Sequence, residues 1–169
     1  YDQRNIQRKT KKNIKKIMKE FLLICFFLFS VSFYNIEVKA GDLRIIDGDT
    51  IILHDEKIRF SGIDAPELKQ TCNKYGQPVY CGILVKEVLL KRVGNKIPTC
   101  IKEGKDFYNR FLAECFINGS SLSQYLVRSG YAFAYQKYSI KFIKDEEYAK
   151  QRNLGIWSMK FKYPWEFRK

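Results

Sequence analysis

The stretch Arg59-Phe60-Ser61-Gly62-Ile63-Asp64-Ala65-Pro66-Glu67 places an arginine and two acids within nine residues. Upstream, Ile46-Asp47-Gly48-Asp49-Thr50 offers two more carboxylates. Downstream, Asp106-Phe107-Tyr108-Asn109-Arg110 adds a second arginine. Carboxylate oxygens are hard donors that suit a hard divalent cation. Guanidinium forks match the oxygens of a phosphate. The combination points to a pocket where a cation and a phosphate ester meet. Each part alone has a plainer reading: Asp-Gly-Asp can simply make a hairpin turn, and a lone arginine usually pairs with a surface acid. A turn gives no reason for Asp64 to stand five residues after Arg59, just past a strand end.

The segments that must position these groups are strand-like. Leu43–Ile46, Thr50–His54 and Lys57–Ile63 are rich in β-branched and apolar residues. Asp47-Gly48-Asp49 is a tight turn in which glycine supplies a positive φ, and Asp55-Glu56 is another. Three short strands on tight turns form a meander, as in a small barrel or sandwich. Pro66 stops strand pairing, and Lys69–Gln77 reads as a polar loop. Val79–Lys91 predicts an amphipathic helix with Val85, Val88 and Leu89 on one face, closed by Gly94-Asn95. Ile97–Ile101 and Arg110–Ile117 read as strands four and five. Ser120 or Ser121 caps a second helix ending at Gly130. Tyr131–Tyr138 is expected to be extended. A third helix is expected over about Ile143–Arg152, with Trp157 packing back on the body. There is no internal repeat or second folded domain.

Of the net charge of +13, residues 1–40 contribute nine Lys/Arg against three Asp/Glu, and the remainder 22 against 15. The later segment alone is therefore basic enough to favour an anionic partner. Lys11, Lys12, Lys15, Lys16 and Lys19 precede the apolar run Phe21–Phe33, and Val38-Lys39-Ala40 ends in small residues. A basic head, an apolar run too short for a membrane span and a small-residue site predict a secretory signal, cleaved after Ala40. The alternative is an uncleaved N-terminal anchor. The first residue is Tyr1, and Met18 is a candidate start that would make residues 1–17 irrelevant. The expected division is thus a leader over 1–40 and a folded domain over 41–169, secreted or periplasmic, monomeric, with no stable membrane association once the leader is gone.

Beyond Cys25 in the leader, Cys72, Cys81, Cys100 and Cys115 remain. An even count behind a secretory signal implies disulfides. Three pairings are open. Cys72–Cys81 with Cys100–Cys115 is preferred, since the first closes a short loop before a helix and the second would bridge neighbouring strands. A four-thiolate zinc site is disfavoured because no Cys-x-x-Cys pair is present.

Taken in order, Ile46-Asp47-Gly48-Asp49-Thr50, Arg59 with Asp64-Ala65-Pro66-Glu67, Asp106-Phe107-Tyr108-Asn109-Arg110, Leu126-Val127-Arg128-Ser129-Gly130 and Gly155-Ile156-Trp157 resemble the staphylococcal (micrococcal) nuclease family of thermonuclease-like domains. The resemblance runs over about residues 42–158. It implies an α+β, mainly β fold: a five-stranded OB-fold Greek-key barrel with three helices. It also implies a calcium-dependent endonuclease acting on DNA and RNA to leave 3′-phosphates. Carried onto this sequence, Asp49, Asp64 and the Ala65 carbonyl would hold Ca2+, with Asp47 helping indirectly. Arg59 and Arg110 would stabilise the phosphate as it becomes five-coordinate. Glu67 would take the proton of the attacking water. Arg110 is read as an electrostatic stabiliser, because a guanidinium is a poor proton donor. Tyr108, Tyr135 and Tyr138 would stack on bases or bind phosphate, beside Lys137, Lys141 and Lys144. His54 is read as a surface residue.

The family's best-known member has Thr at the position of Ala65, Gly at that of Asn109 and Lys at that of Phe107. The first keeps its backbone carbonyl, and Asn tolerates a left-handed backbone; the third removes a charge from the substrate side. Two other functions compete: a non-catalytic OB-type nucleic-acid-binding domain, and an envelope or interaction domain using its basic face.

Overall fold

The computed structural model of this protein describes residues 42–169. The expected leader, with Met18, Cys25 and the cleavage site after Ala40, lies outside the described residues. The first three strands are β1 (Leu43–Ile45), β2 (Thr50–Leu53) and β3 (Glu56–Phe60). They form the expected meander, with Leu43 opposite Leu53 and Thr50 opposite Arg59. His54 and Asp55 both have positive φ, the signature of a two-residue type I′ turn that matches the strand twist. Ile51, Leu53, Ile58 and Phe60 face inward and are buried, as period-two alternation requires.

The third strand does not run on to Ile63. Gly62 adopts φ 73° and turns the chain. The short β4 (Ile63–Asp64) instead pairs with β10 (Phe133–Ala134), with Asp64 opposite Phe133. The segment read as a polar loop is a hairpin, β5 (Thr71–Lys74) and β6 (Gln77–Tyr80). Tyr75 and Gly76 form its type I′ turn. The hairpin is tied by Cys72–Cys81, with Cα atoms 5.6 Å apart. Helix α1 (Cys81–Val93) therefore starts two residues later than the periodicity suggested. Cys81, Val85, Leu89 and Val93 are its buried face, with Val88 half-buried beside them.

Strands β7 (Thr99–Lys105) and β8 (Phe111–Ile117) are antiparallel, with Cys100 directly opposite Cys115 and disulfide-bonded to it. Both preferred cysteine pairings are thus present. β8 runs parallel to β3, Arg59 lying opposite Leu112. The main sheet order is β1-β2-β3-β8-β7, with β9 (Ser120–Ser121) also on β8. The Ser121 side chain accepts from Gln124 N at 3.1 Å and caps α2 (Leu122–Arg128). Tyr131–Tyr138 is strand only at β10. Helix α3 (Ile143–Gln151), a 3-10 turn (Gly155–Ser158) and the one-turn α4 (Pro164–Phe167) complete the order. The fold is mixed α+β and mostly strand. Four α-helices stand among the described residues where three were expected, because α4 was not foreseen. None of these helices is long and apolar enough to cross a membrane.

One close approach fixes the site-bearing loop. A Cβ on Gly82 would lie 1.9 Å from the Glu67 carbonyl oxygen and 2.7 Å from Leu68 Cα. Only glycine lets the start of α1 press on that backbone. Gly82→Ala is expected to lower the unfolding free energy by about 1–3 kcal/mol, read as a fall in urea midpoint at unchanged slope.

Candidate active site

Four of the expected groups meet in one hydrogen-bonded network. Arg59, on β3, aims both terminal nitrogens at acids: Nη1 pairs with Asp49 Oδ1, and Nη2 with Asp64 Oδ1 at 2.8 Å. Nη2 also reaches the Ile63 carbonyl at 3.3 Å. Asp49, in the β1–β2 turn, and Asp64, on β4, are both buried. The Ala65 N–H donates to Asp49 Oδ2 at 2.9 Å, tying the two acid-bearing segments together. Asp47 Oδ1 accepts from Asp49 N at 3.0 Å, a bond within the same turn.

Gly48 serves this turn by its size. It does not lie in the left-handed region. A Cβ there would meet Val85 Cγ1 at 2.5 Å and Ala65 Cβ at 2.8 Å. The turn thus lies against α1 and the Ala65 segment, and positive φ is not what the glycine supplies.

Glu67 belongs to the same network through Arg168. Nη1 of Arg168 donates to Glu67 Oε1 at 2.7 Å and to Asp64 Oδ1 at 3.1 Å, and Nη2 donates to Asp64 Oδ2 at 2.6 Å. Buried Gln70 braces the Glu67 turn: its Oε1 accepts from Glu67 N at 3.2 Å and its N–H donates to the Glu67 carbonyl at 2.8 Å. Sequence reasoning did not single out Arg168. Its signal was faint: an aromatic run, Tyr163-Pro164-Trp165-Glu166-Phe167, that ends in a basic residue.

Arg110 is held apart from this network by its own acid. Asp106 Oδ2 accepts from Arg110 Nε and Nη2, each at 2.7 Å. Asp106 Oδ1 accepts from the backbone N–H groups of Tyr108 and Arg110. Burial would raise the Asp106 carboxyl, but these bonds outweigh it and hold the group below the ordinary carboxylate range. Arg110 immediately precedes Phe111, the residue of β8 that stands opposite Ile58 of β3. Asn109 takes φ 61°, the left-handed backbone that Gly would supply.

The three tyrosines divide. Tyr135 and Tyr138 pack edge to face at 4.9 Å, and Tyr135 N donates to the Gly62 carbonyl, next to β4. Tyr108 lies in the β7–β8 loop under the Arg110 guanidinium, 5.5 Å from ring centre to Cζ. Lys141 is engaged by Glu114. His54 is exposed, 3.7 Å from Asp42.

Among the described residues no three acidic, histidine or cysteine side chains converge on one point. A cation here would therefore rest on two carboxylates and backbone or solvent oxygens. The donors fit a hard cation, since every one is oxygen. Burial pushes the Asp49 carboxyl up to about 6, with Arg59 pulling it down and Asp47 and Asp64 pushing it further up. Arg59 thus does not fully offset the burial of Asp49.

The family model for staphylococcal nuclease homologues matches residues 57–159, more than half of the chain, beginning after Asp49. An uncharacterized endonuclease of Escherichia coli is 27% identical over 150 residues, covering 83% of this chain and 91% of that protein. A staphylococcal-like nuclease of Arabidopsis thaliana is 31% identical over 142 residues, covering 82% of this chain and 37% of that protein. A succinoglycan biosynthesis protein of Rhizobium meliloti is 31% identical over 121 residues, covering 69% of this chain and 63% of that protein.

Proposed function

This chain belongs to the staphylococcal nuclease homologue family, and from that membership we propose a calcium-dependent endonuclease that hydrolyses DNA and RNA with low sequence specificity. The observation that carries the reading is the single network joining Asp49, Arg59, Asp64 and, through Arg168, Glu67. Asp49, Asp64 and the Ala65 carbonyl are the groups that would hold the ion. When bound, the ion would supply Lewis-acid charge to a phosphoryl oxygen.

The chain's own residues account for the remaining chemistry. A water oxygen bonds to phosphorus and the bond from phosphorus to the 5′ oxygen breaks. Glu67 accepts the proton the water loses. The 5′ oxygen takes a proton from solvent, and the phosphate stays on the 3′ side. Charge builds on the phosphoryl oxygens as this happens, and Arg110 supplies fixed positive charge there. Arg59 keeps Asp49 and Asp64 together and offers its remaining N–H groups to the same oxygens; an arginine has five donors. Tyr108, Tyr135 and Tyr138 are surfaces on which bases can stack.

The strand order, with its parallel β3–β8 pair, supports a Greek-key OB-type barrel. We place the protein outside the cytoplasm, secreted or periplasmic, as a monomer. The basic, apolar leader and the two disulfides support that placement. The test is plasmid nicking by the 169-residue chain. With Ca2+, supercoiled plasmid is expected to become nicked and then linear, and labelled RNA to be degraded; EDTA should stop both. A gel shift without strand cleavage in Ca2+ would select the non-catalytic binding domain.

A further inference from the structure

Arg168 occupies the carboxylates on which the proposed site depends. It takes Asp64 in two-point fashion, at 2.6 Å and 3.1 Å, and reaches Glu67 Oε1 at 2.7 Å. Arg59 already uses Asp64 Oδ1, so both oxygens of Asp64 are engaged. The backbone that delivers Arg168 is well anchored. Asn73 and Lys160 exchange two backbone hydrogen bonds, 2.8 Å and 2.9 Å. Gln70 Nε2 donates to the Lys162 carbonyl at 2.7 Å. Trp165 stacks on Tyr163 at 4.5 Å and on Tyr135 at 5.7 Å, both nearly parallel. Glu166 Oε2 accepts from Tyr163 N at 3.0 Å and closes the start of α4.

The exposures of the partners are unequal. The Asp64 side chain is fully buried, whereas the Arg168 side chain is 38% exposed and that of Glu67 39%. The guanidinium can swing into water at small desolvation cost; the Asp64 carboxylate has nowhere to go. We propose that Arg168 is a displaceable plug, whose guanidinium competes with a divalent cation for Asp64 and, on leaving, uncovers the Glu67 oxygen. This rests on the reading of Asp64 as a cation ligand. The direction of exchange follows from the chemistry. A guanidinium meets a carboxylate through N–H groups, whereas a divalent ion coordinates the same oxygens directly with twice the charge. With Arg168 in place, the Glu67 oxygen that would accept the proton is already held by a guanidinium N–H. One displacement therefore prepares both the ion site and the base. The cost appears in affinity, since a site competent only when unplugged binds more weakly by the unplugged fraction.

The experiment is calorimetric titration of the 169-residue chain with CaCl2, comparing the unaltered protein, Arg168→Gln, Arg168→Lys and Asp64→Asn. Arg168→Gln is expected to bind about tenfold more tightly, the factor for a site unplugged about one tenth of the time. Arg168→Lys, which keeps the charge but loses the fork, should fall between. Asp64→Asn should abolish the heat. Equal or weaker affinity in Arg168→Gln, with binding still lost in Asp64→Asn, would overturn the plug and leave the cation site standing. Absence of calcium heat in every protein would overturn both.

Discussion

Arg59→Ala is expected to lower kcat on duplex DNA by about 10³-fold and to destabilise the calcium-free protein by about 3–5 kcal/mol. The two effects have one origin. Among the described residues Arg59 alone bonds to both Asp49 and Asp64, and those side chains are 5% and 0% exposed. Without it, two acids remain buried side by side, Asp49 without an ion-pair partner among the described residues and Asp64 with Arg168 alone. A buried charge stripped of its partner costs far more than the pair contributed, because its desolvation is no longer offset. Calcium should therefore restore part of the lost stability, since a divalent ion can replace the missing positive charge between the acids. Urea unfolding with and without Ca2+ measures this, and single-turnover cleavage measures the catalytic loss. Arg59→Lys restores charge but not the fork that spans both acids, so it should recover stability more than turnover. Unchanged turnover in Arg59→Ala would remove this arginine from the chemistry.

The parts of this site legible in the sequence are those that a strand and its turn bring together locally. Asp49, Arg59, Asp64 and Glu67 lie within nineteen residues; the β1–β3 meander and the turn at Gly62 bring the first three together, whereas Glu67 joins them through the distant Arg168. Cys100 and Cys115 were legible because two strands on a short connection pair with each other. The β5–β6 hairpin was hidden by its own chemistry. Pro78 and the polar Asn73 and Lys74 look like a loop, and Tyr75-Gly76 lacks the asparagine or aspartate that usually announces a type I′ turn. The break at Gly62 was hidden because Ile63 and Asp64 still read as extended chain, although they pair with a different strand. Arg168 left no periodic trace at all. It lies 104 residues from Asp64, and a pairing of charges over that distance has no local pattern. Gly48 was recognised as a turn glycine for the wrong reason. Periodicity and turn chemistry report backbone angles, whereas here the constraint is the space between Val85 and Ala65.

Arg110→Ala should separate catalysis from stability, which Arg59→Ala cannot. Among the described residues its guanidinium pairs with one carboxylate, Asp106, within one loop. The backbone bonds to Asp106 Oδ1 from Tyr108 and Arg110 survive truncation of the side chain. Loss of such a local pair costs no more than about 1 kcal/mol. On the proposed reading, the same truncation removes fixed charge from the phosphoryl oxygens of the transition state, and should cost about 10²–10³-fold in kcat with little change in KM. The pH behaviour gives an independent check on the clamp. Because the folded state holds Asp106 below its ordinary value, the clamp stabilises fully above the unfolded value and is lost as pH falls through the lower, folded one. Removing Arg110 moves the folded value back up, so the difference in stability between the two proteins should shrink only under strongly acid conditions. A variant that unfolds like the unaltered protein at neutral pH yet cleaves DNA hundreds of times more slowly would assign Arg110 to the reaction. Full activity in that same protein would leave the loop as a structural clamp and return the phosphate charge to Arg59 alone.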